Sequence, residues 1–355
     1  METGISLYFA SGYLANAAVV EKASLAGAKY AFTSFHIPEE SGLDFAQEAK
    51  RLIALCRDHG LALIADVSPA TLAKLGCRDF GDVGRLGVEY IRLDDGFDAR
   101  QTVELSDFFH VVFNASTISE SDIAQWRAAG ADFSRFAACH NFYPKPLTGL
   151  SIEDVVRTNQ RLKALGFEVM GFVPGDRELR GPLHEGLPTV EAHRGDAGDR
   201  LFLDMLELSS AGCDAVLVGD PDVSETVWKR IAGISQNVID LAAELAEPYQ
   251  SLFGRLQHDR PDSSPWIVRS QESRRWKDVE APKPSQDVCD TDVHAGDILM
   301  STTAYGRYAG ELEIARQSFA LDRRDVRIGR IAEPDLALLP YIRQGAGFRL
   351  VRDKA

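Results

Sequence analysis

The chain has 355 residues, enough for one large α/β barrel and a smaller domain but too many for one ordinary core. A hydrophobic share of 45% and a charged share of 26% belong to a folded globular protein, and a net charge of -14 argues against nucleic acid or an anionic membrane as partner. The five cysteines are scattered and contain no CxxC pair, which argues against a disulfide framework or zinc finger and fits a reducing cytoplasm.

Short apolar runs alternate with helical patterns from the start. Strands are read at 4–9, 30–35, 61–67, 88–93, 111–113, 133–139, 167–173 and 215–218. Helices are read at 16–28 and 43–59, and from Ser68-Pro69, Ser119 and Ser151, each serine being a good N-cap. Gly27, Gly60, Gly87, Gly130, Gly166 and Gly212 each stand just before a strand, where a helix-terminating glycine is expected. The alternation predicts a (β/α)8 barrel. An open doubly wound sheet is the alternative, but it lacks G-x-G-x-x-G after the first strand. Residues 224–247 read as a closing helix, so the barrel domain is set at 1–247. From 248 to 355, prolines and short strand-like pieces at 266–268, 298–300, 311–314, 326–328 and 348–351 predict a small, mostly β domain.

Barrel chemistry sits at the C-terminal ends of strands and in the loops that follow. Those positions hold His36, Asp66, Asp94, Asn114, His140, Asn141, Tyr143 and Lys145. The loop after the seventh strand adds Arg180, Glu185, His193 and Arg194. Asp66, Asp94 and Glu185 can point into one mouth, and glycoside hydrolysis needs two carboxyl groups across the scissile bond. Asp66 is equally placed to cap the helix at Ser68-Pro69, and Asp94 shares strand parity with Arg92, as a structural ion pair would. Lys145, Arg180 and Arg194 form a candidate anion site near where barrels bind phosphate. Four histidines in these loops could join carboxylates around a metal. With no H-x-H or H-E-x-x-H spacing, neither metal nor other cofactor is expected. Phe142 is read as rim packing, and Tyr143 as able to stack on a sugar face.

The segments FTSFHIPEE, ADVSPATL, RLDDGF, NAST, HNFYPKPLTGLS, FVPGD, RGPLHEGLPTVEAHR and YGRYAGEL together resemble the 6-phospho-N-acetylmuramidase family. Cys139 and Asp95 depart from the pattern, standing where aromatic or apolar residues are expected. The resemblance implies a TIM barrel with a cyclophilin-like β domain. It also implies a cytoplasmic hydrolase that splits N-acetylmuramic acid 6-phosphate from N-acetylglucosamine in peptidoglycan recycling. It favours Asp66, Asp94 and Glu185 as the acids, and it makes Tyr305 and Arg307 candidates for substrate contact from the second domain. The partner implied is a small phosphorylated muramyl disaccharide, with no nucleic acid and no membrane. Two other functions fit the residues: a metal-dependent sugar-phosphate isomerase or epimerase, and a non-catalytic carbohydrate-binding protein.

Overall fold

The alternation closes on itself. In the computed structural model, which describes residues 1–35, 45–93, 96–284 and 292–353, eight parallel strands form a closed barrel in sequence order. These are β1 (Glu2–Ser6), β2 (Tyr30–Ser34), β3 (Ala62–Val67), β4 (Tyr90–Leu93), β5 (His110–Asn114), β6 (Phe136–Cys139), β7 (Glu168–Val173) and β8 (Ala215–Val218). The helices between them are α1 (Tyr13–Leu25), α2 (Phe45–Asp58), α3 (Pro69–Leu75), α4 (Phe80–Leu86), α5 (Ala99–Ser106), α6 (Glu120–Ala128), α7 (Ile152–Leu165) and α8 (Gly198–Ser210), and α9 (Glu225–Ile234) follows β8. His36 and Asp94 lie outside the described residues.

Local chemistry explains the helix ends. Ser68 caps α3 by accepting from the Ala70 amide at 3.2 Å, with Pro69 opening the helix. Ser119 and Ser151 cap α6 and α7 in the same manner. Gly87 and Gly166 end α4 and α7 at φ 110° and 102°, a conformation that costs other residues strain.

Inside the barrel, Phe32, Ile64, Tyr90, Val112, Cys139, Met170, Phe172 and Leu217 form one packed core. Tyr30 donates to Glu168 at 2.7 Å, and Tyr90 donates to the same carboxylate at 3.5 Å, near the N-terminal ends of the strands. Burial raises the pKa of Glu168. The register pairs Ser34 with Asp66 and Asp66 with Arg92, which sets a row of inward-facing polar groups directly above this core.

The second unit spans 236–355. Its main sheet runs β10 (Gln257–His258), β17 (Gly347–Arg352), β9 (Val238–Leu245), β16 (Asp325–Ile331), β13 (Asp297–Ser301), β14 (Leu312–Ala315) and β11 (Ile267–Arg269). β12 (Asp292–Val293) and β15 (Phe319–Ala320) pair separately. The closing helix read over 224–247 is corrected here: α9 stops at Ile234, and residues 238–245 are a strand of the second sheet. Asn237 turns the chain between them at φ 56°, a left-handed conformation that asparagine tolerates. Val238–Leu245 carries Ala, Glu and Leu, all helix formers. It is nevertheless held as a strand by pairing with β16 on one side and β17 on the other. The division between the units therefore falls at 235/236 and not at 247/248.

No helix among the described residues is long and apolar enough to cross a membrane. Cys56, Cys77, Cys139 and Cys213 are free thiols.

Candidate active site

The strand ends converge on a cavity of about 260 Å³ lined by Tyr8, Phe32, Ser34, Asp66, Arg92, His140, Asn141, Phe142, Phe172 and Arg180. Asp66 closes the inward face of β3. Ser34 donates to its carboxylate at 3.2 Å, and Arg92 lies 3.7 Å from the same oxygen. The helix cap is Ser68 itself, so the Asp66 carboxylate faces the mouth while the serine handles α3. Arg92 also donates through Nη2 to the side-chain oxygen of Asn141, tying the ends of β3, β4 and β6 together. Its Nε is buried and has no hydrogen-bond partner among the described residues.

Arg180 stands over the other side of the mouth, its guanidinium 4.5 Å from the centre of the Tyr8 ring. It also lines a cavity of about 320 Å³ with Tyr8, Glu178 and His184, and one of about 180 Å³ with Pro144, Glu185 and Leu187. No carboxylate among the described residues forms an ion pair with it. Its place is set by the backbone: the buried Asp220, just beyond β8, accepts from the amides of Arg180 at 2.9 Å, Gly175 at 2.8 Å and Leu187 at 2.9 Å. Burial raises the pKa of Asp220, while those three amides pull it down. Gly175 is required here, because a Cβ on it would fall 2.7 Å from the Asp220 Cβ. Tyr8 donates to the Gly219 carbonyl, and burial holds its hydroxyl well above the usual tyrosine range.

Other expected site residues have different surroundings. Glu185 is exposed and lines the smaller cavity beside Arg180, not the one that holds Asp66. Lys145 is exposed on the loop after β6. Asn114 ends β5 and accepts from the Ser116 amide at 3.1 Å, shaping the turn into α6. Phe142 packs edge-on against Phe32 and Phe172 with ring centres 6.1 and 5.2 Å away, as rim packing requires.

Three of the expected contact residues are held by other partners. Arg194 is not open to an anion: Nε and Nη2 grip Glu191 at 2.7 and 2.8 Å, and the remaining donors reach the carbonyls of Gly186, Tyr143, Glu185 and Lys145. Glu191 also accepts from the amides of Leu147 at 2.7 Å and Gly149 at 2.8 Å, and the pair holds its carboxyl down at about 2. Arg194 and Glu191 thus clamp the loops after β6 and β7 to each other. His140 lines the cavity but is fully buried, its Nε2 held by Asn159 of α7 at 2.7 Å, and burial lowers its pKa. His193 is buried against α8, with Nε2 at 2.7 Å from Glu207.

Tyr305 and Arg307 lie in the turn Thr303–Tyr308 of the second unit. Tyr305 donates to Asp325 at 3.2 Å, and Arg307 donates to the Tyr308 hydroxyl at 2.6 Å.

Asp220 and Arg92 carry more of the site than strand-end position alone indicates. Arg92 pairs across to Asp66 through strand register, which no single sequence displays.

The family profile described as 6-phospho-N-acetylmuramidase, N-terminal, matches residues 3–233, and its C-terminal counterpart matches residues 238–351. The chain belongs to the 6-phospho-N-acetylmuramidase family. Two solved structures share both of its units. One, a conserved protein of unknown function from Enterococcus faecalis, is 29% identical with a TM-score of 0.74, over 100% of this chain and 97% of that one. The other, an uncharacterized Bacillus cereus protein, is 25% identical with a TM-score of 0.71, over 99% of both chains. No curated protein matches the chain.

Proposed function

We propose that the protein is a cytoplasmic 6-phospho-N-acetylmuramidase. It hydrolyses the bond between N-acetylmuramic acid 6-phosphate and N-acetylglucosamine in material recovered from peptidoglycan. Family membership across both units supports the reaction class. The observation that carries the substrate charge is the mouth itself. Against an overall charge of -14, the described lining of the central cavity sets two guanidinium groups, Arg92 and Arg180, against one carboxylate, Asp66.

Asp66, ion-paired to Arg92, takes the ionised role of the two carboxyl groups that glycoside hydrolysis needs. Glu185 and Asp94 are the candidates for the proton donor, Glu185 being on the rim beside Arg180. Arg180, which forms no ion pair among the described residues and whose backbone is held by Asp220, receives the phosphate, with Lys145 adding charge from the neighbouring loop. Asn141 and Arg92, both in the cavity lining, face sugar oxygens, and Tyr143 lies on the same loop as Asn141.

The test compares kcat/KM on the 6-phosphorylated and dephosphorylated disaccharides. Arg180→Met is expected to cut the rate on the phosphorylated substrate about 100-fold, the loss of a charge-assisted contact, and to leave the dephosphorylated rate nearly unchanged. Asp66→Asn is expected to lower both by at least 1,000-fold in a folded protein, as removal of a reacting carboxylate does (on the order of 4 kcal/mol). Equal effects of Arg180→Met on the two substrates would remove Arg180 from the phosphate site, and near-full turnover by Asp66→Asn would remove Asp66 from the chemistry.

A further inference from the structure

The end of the loop after β7 meets α8 at a second cluster of ionisable groups. On α8, Asp204 and Glu207 are three residues apart and so share a face. His193 comes from the single turn Glu191–His193 and packs onto that face. One ligand atom from each of the three residues lies within 4.8 Å of the others. Nε2 of His193 is 2.7 Å from the Glu207 carboxylate and 3.9 Å from that of Asp204.

The charges here do not balance. Asp204 is 1% exposed, and neither of its carboxylate oxygens has a hydrogen-bond partner among the described residues. The nearest cation, Arg200, is 3.6 Å away and 61% exposed, and it already bonds Asp196 at 3.1 Å. Three carboxylates, Asp196, Asp204 and Glu207, therefore face one guanidinium and one imidazole. A buried carboxylate with both oxygens open costs several kcal/mol, on the order of 3 or more, unless a cation meets it.

We propose that His193, Asp204 and Glu207 bind a divalent transition-metal cation, with Zn²⁺ the best fit. One imidazole and two carboxylates make the three-ligand N/O set that zinc takes, with the fourth position open. Tetrahedral bonds of about 2.0–2.2 Å place neighbouring ligand atoms about 3.3 Å apart. The two spacings from His193 Nε2, 2.7 and 3.9 Å, bracket that value, so small rotamer adjustments complete the site. Glu207, 41% exposed, forms the entrance. The cation departs from the cofactor-free expectation, and its role is structural. It ties the turn Glu191–His193, which the Glu191–Arg194 clamp spans, to α8.

The test uses the full-length, tag-free chain, stripped with EDTA and desalted. Zn²⁺ is titrated by isothermal calorimetry, with metal content measured after a second desalting. One Zn²⁺ per chain is expected, together with a rise in melting temperature by mass action. Glu207→Gln, which keeps the shape of a side chain 41% exposed, is expected to weaken binding at least about tenfold and to lose the thermal shift. Asp204→Asn is expected to do the same, and Glu207→Gln decides the matter where Asp204→Asn does not fold. Absence of saturable Zn²⁺ binding overturns the proposal, as does binding of unchanged strength in Glu207→Gln.

Discussion

Replacing Arg194 by methionine separates a loop clamp from a phosphate ligand. The guanidinium grips Glu191 through two donors and reaches four backbone carbonyls in the loops after β6 and β7. Hydrogen bonds to charged groups contribute about 1.5–3 kcal/mol each, and the carbonyls left behind lose their partner in a part-buried setting. A net loss of about 3–5 kcal/mol follows, a large share of the ~5–15 kcal/mol that holds a typical domain folded. The pH dependence adds a signature. The folded-state carboxyl of Glu191 sits at about 2 against an ordinary 4.5, with Arg194 the largest cause. Its stabilisation is therefore fully present above pH 4.5 and drains away as pH falls towards 2. After solvent screening this amounts to about 1–2 kcal/mol. Urea unfolding at pH 7 and pH 3 is expected to show the penalty of Arg194→Met shrinking in acid. Activity on phosphorylated and dephosphorylated substrates should fall by a common factor. Unchanged stability at pH 7, combined with a selective loss on the phosphorylated substrate, would refute the clamp and return Arg194 to the anion site.

Asp220→Ala strands three buried amides, those of Gly175, Arg180 and Leu187, at about 1–3 kcal/mol each. Its urea midpoint should drop more than that of Asp220→Asn, which keeps one acceptor; equal midpoints would contradict the role given to the carboxylate. In the second unit, burial and then the charges of Asp325 and Glu311 raise the Glu313 carboxyl from 4.5 to about 8. Between those pH values the unfolded chain ionises while the folded one holds its proton, so wild-type stability falls as pH rises. Glu313→Gln removes that slope and is expected to be the more stable protein at pH 8 by about 2–4 kcal/mol; parallel pH profiles for the two would exclude it.

The barrel was legible because its signals are local. Strand runs, serine caps and a glycine before six of the eight strands all concern residues within one turn of each other. Residues 238–245 show the opposite case: their composition favours a helix, and only pairing with β16 and β17, about 90 and 109 residues further on, makes them a strand. The site divides in the same way. Asp66 and Arg180 are candidates from their places at a strand end and in the long loop, and both line the central cavity. That Arg92 answers Asp66 depends on register between β3 and β4. That Arg194 spends its donors on carbonyls depends on how two loops fold together, and backbone acceptors leave no mark in a sequence. The partners of His140 and His193 are hidden from the sequence for a related reason. Each follows the inward-facing or loop positions closely in sequence, yet its ring is turned towards a helix, α7 for His140 and α8 for His193.

The reaction itself is the most direct test. Purified wild-type protein is incubated with the 6-phosphorylated muramyl disaccharide and, in parallel, with its dephosphorylated form, and the released sugars are identified by mass spectrometry. The account predicts N-acetylmuramic acid 6-phosphate and N-acetylglucosamine from the first and at least about 100-fold slower release from the second, the value of one lost charge-assisted contact. Equal release from both, or none from the phosphorylated disaccharide, would contradict it.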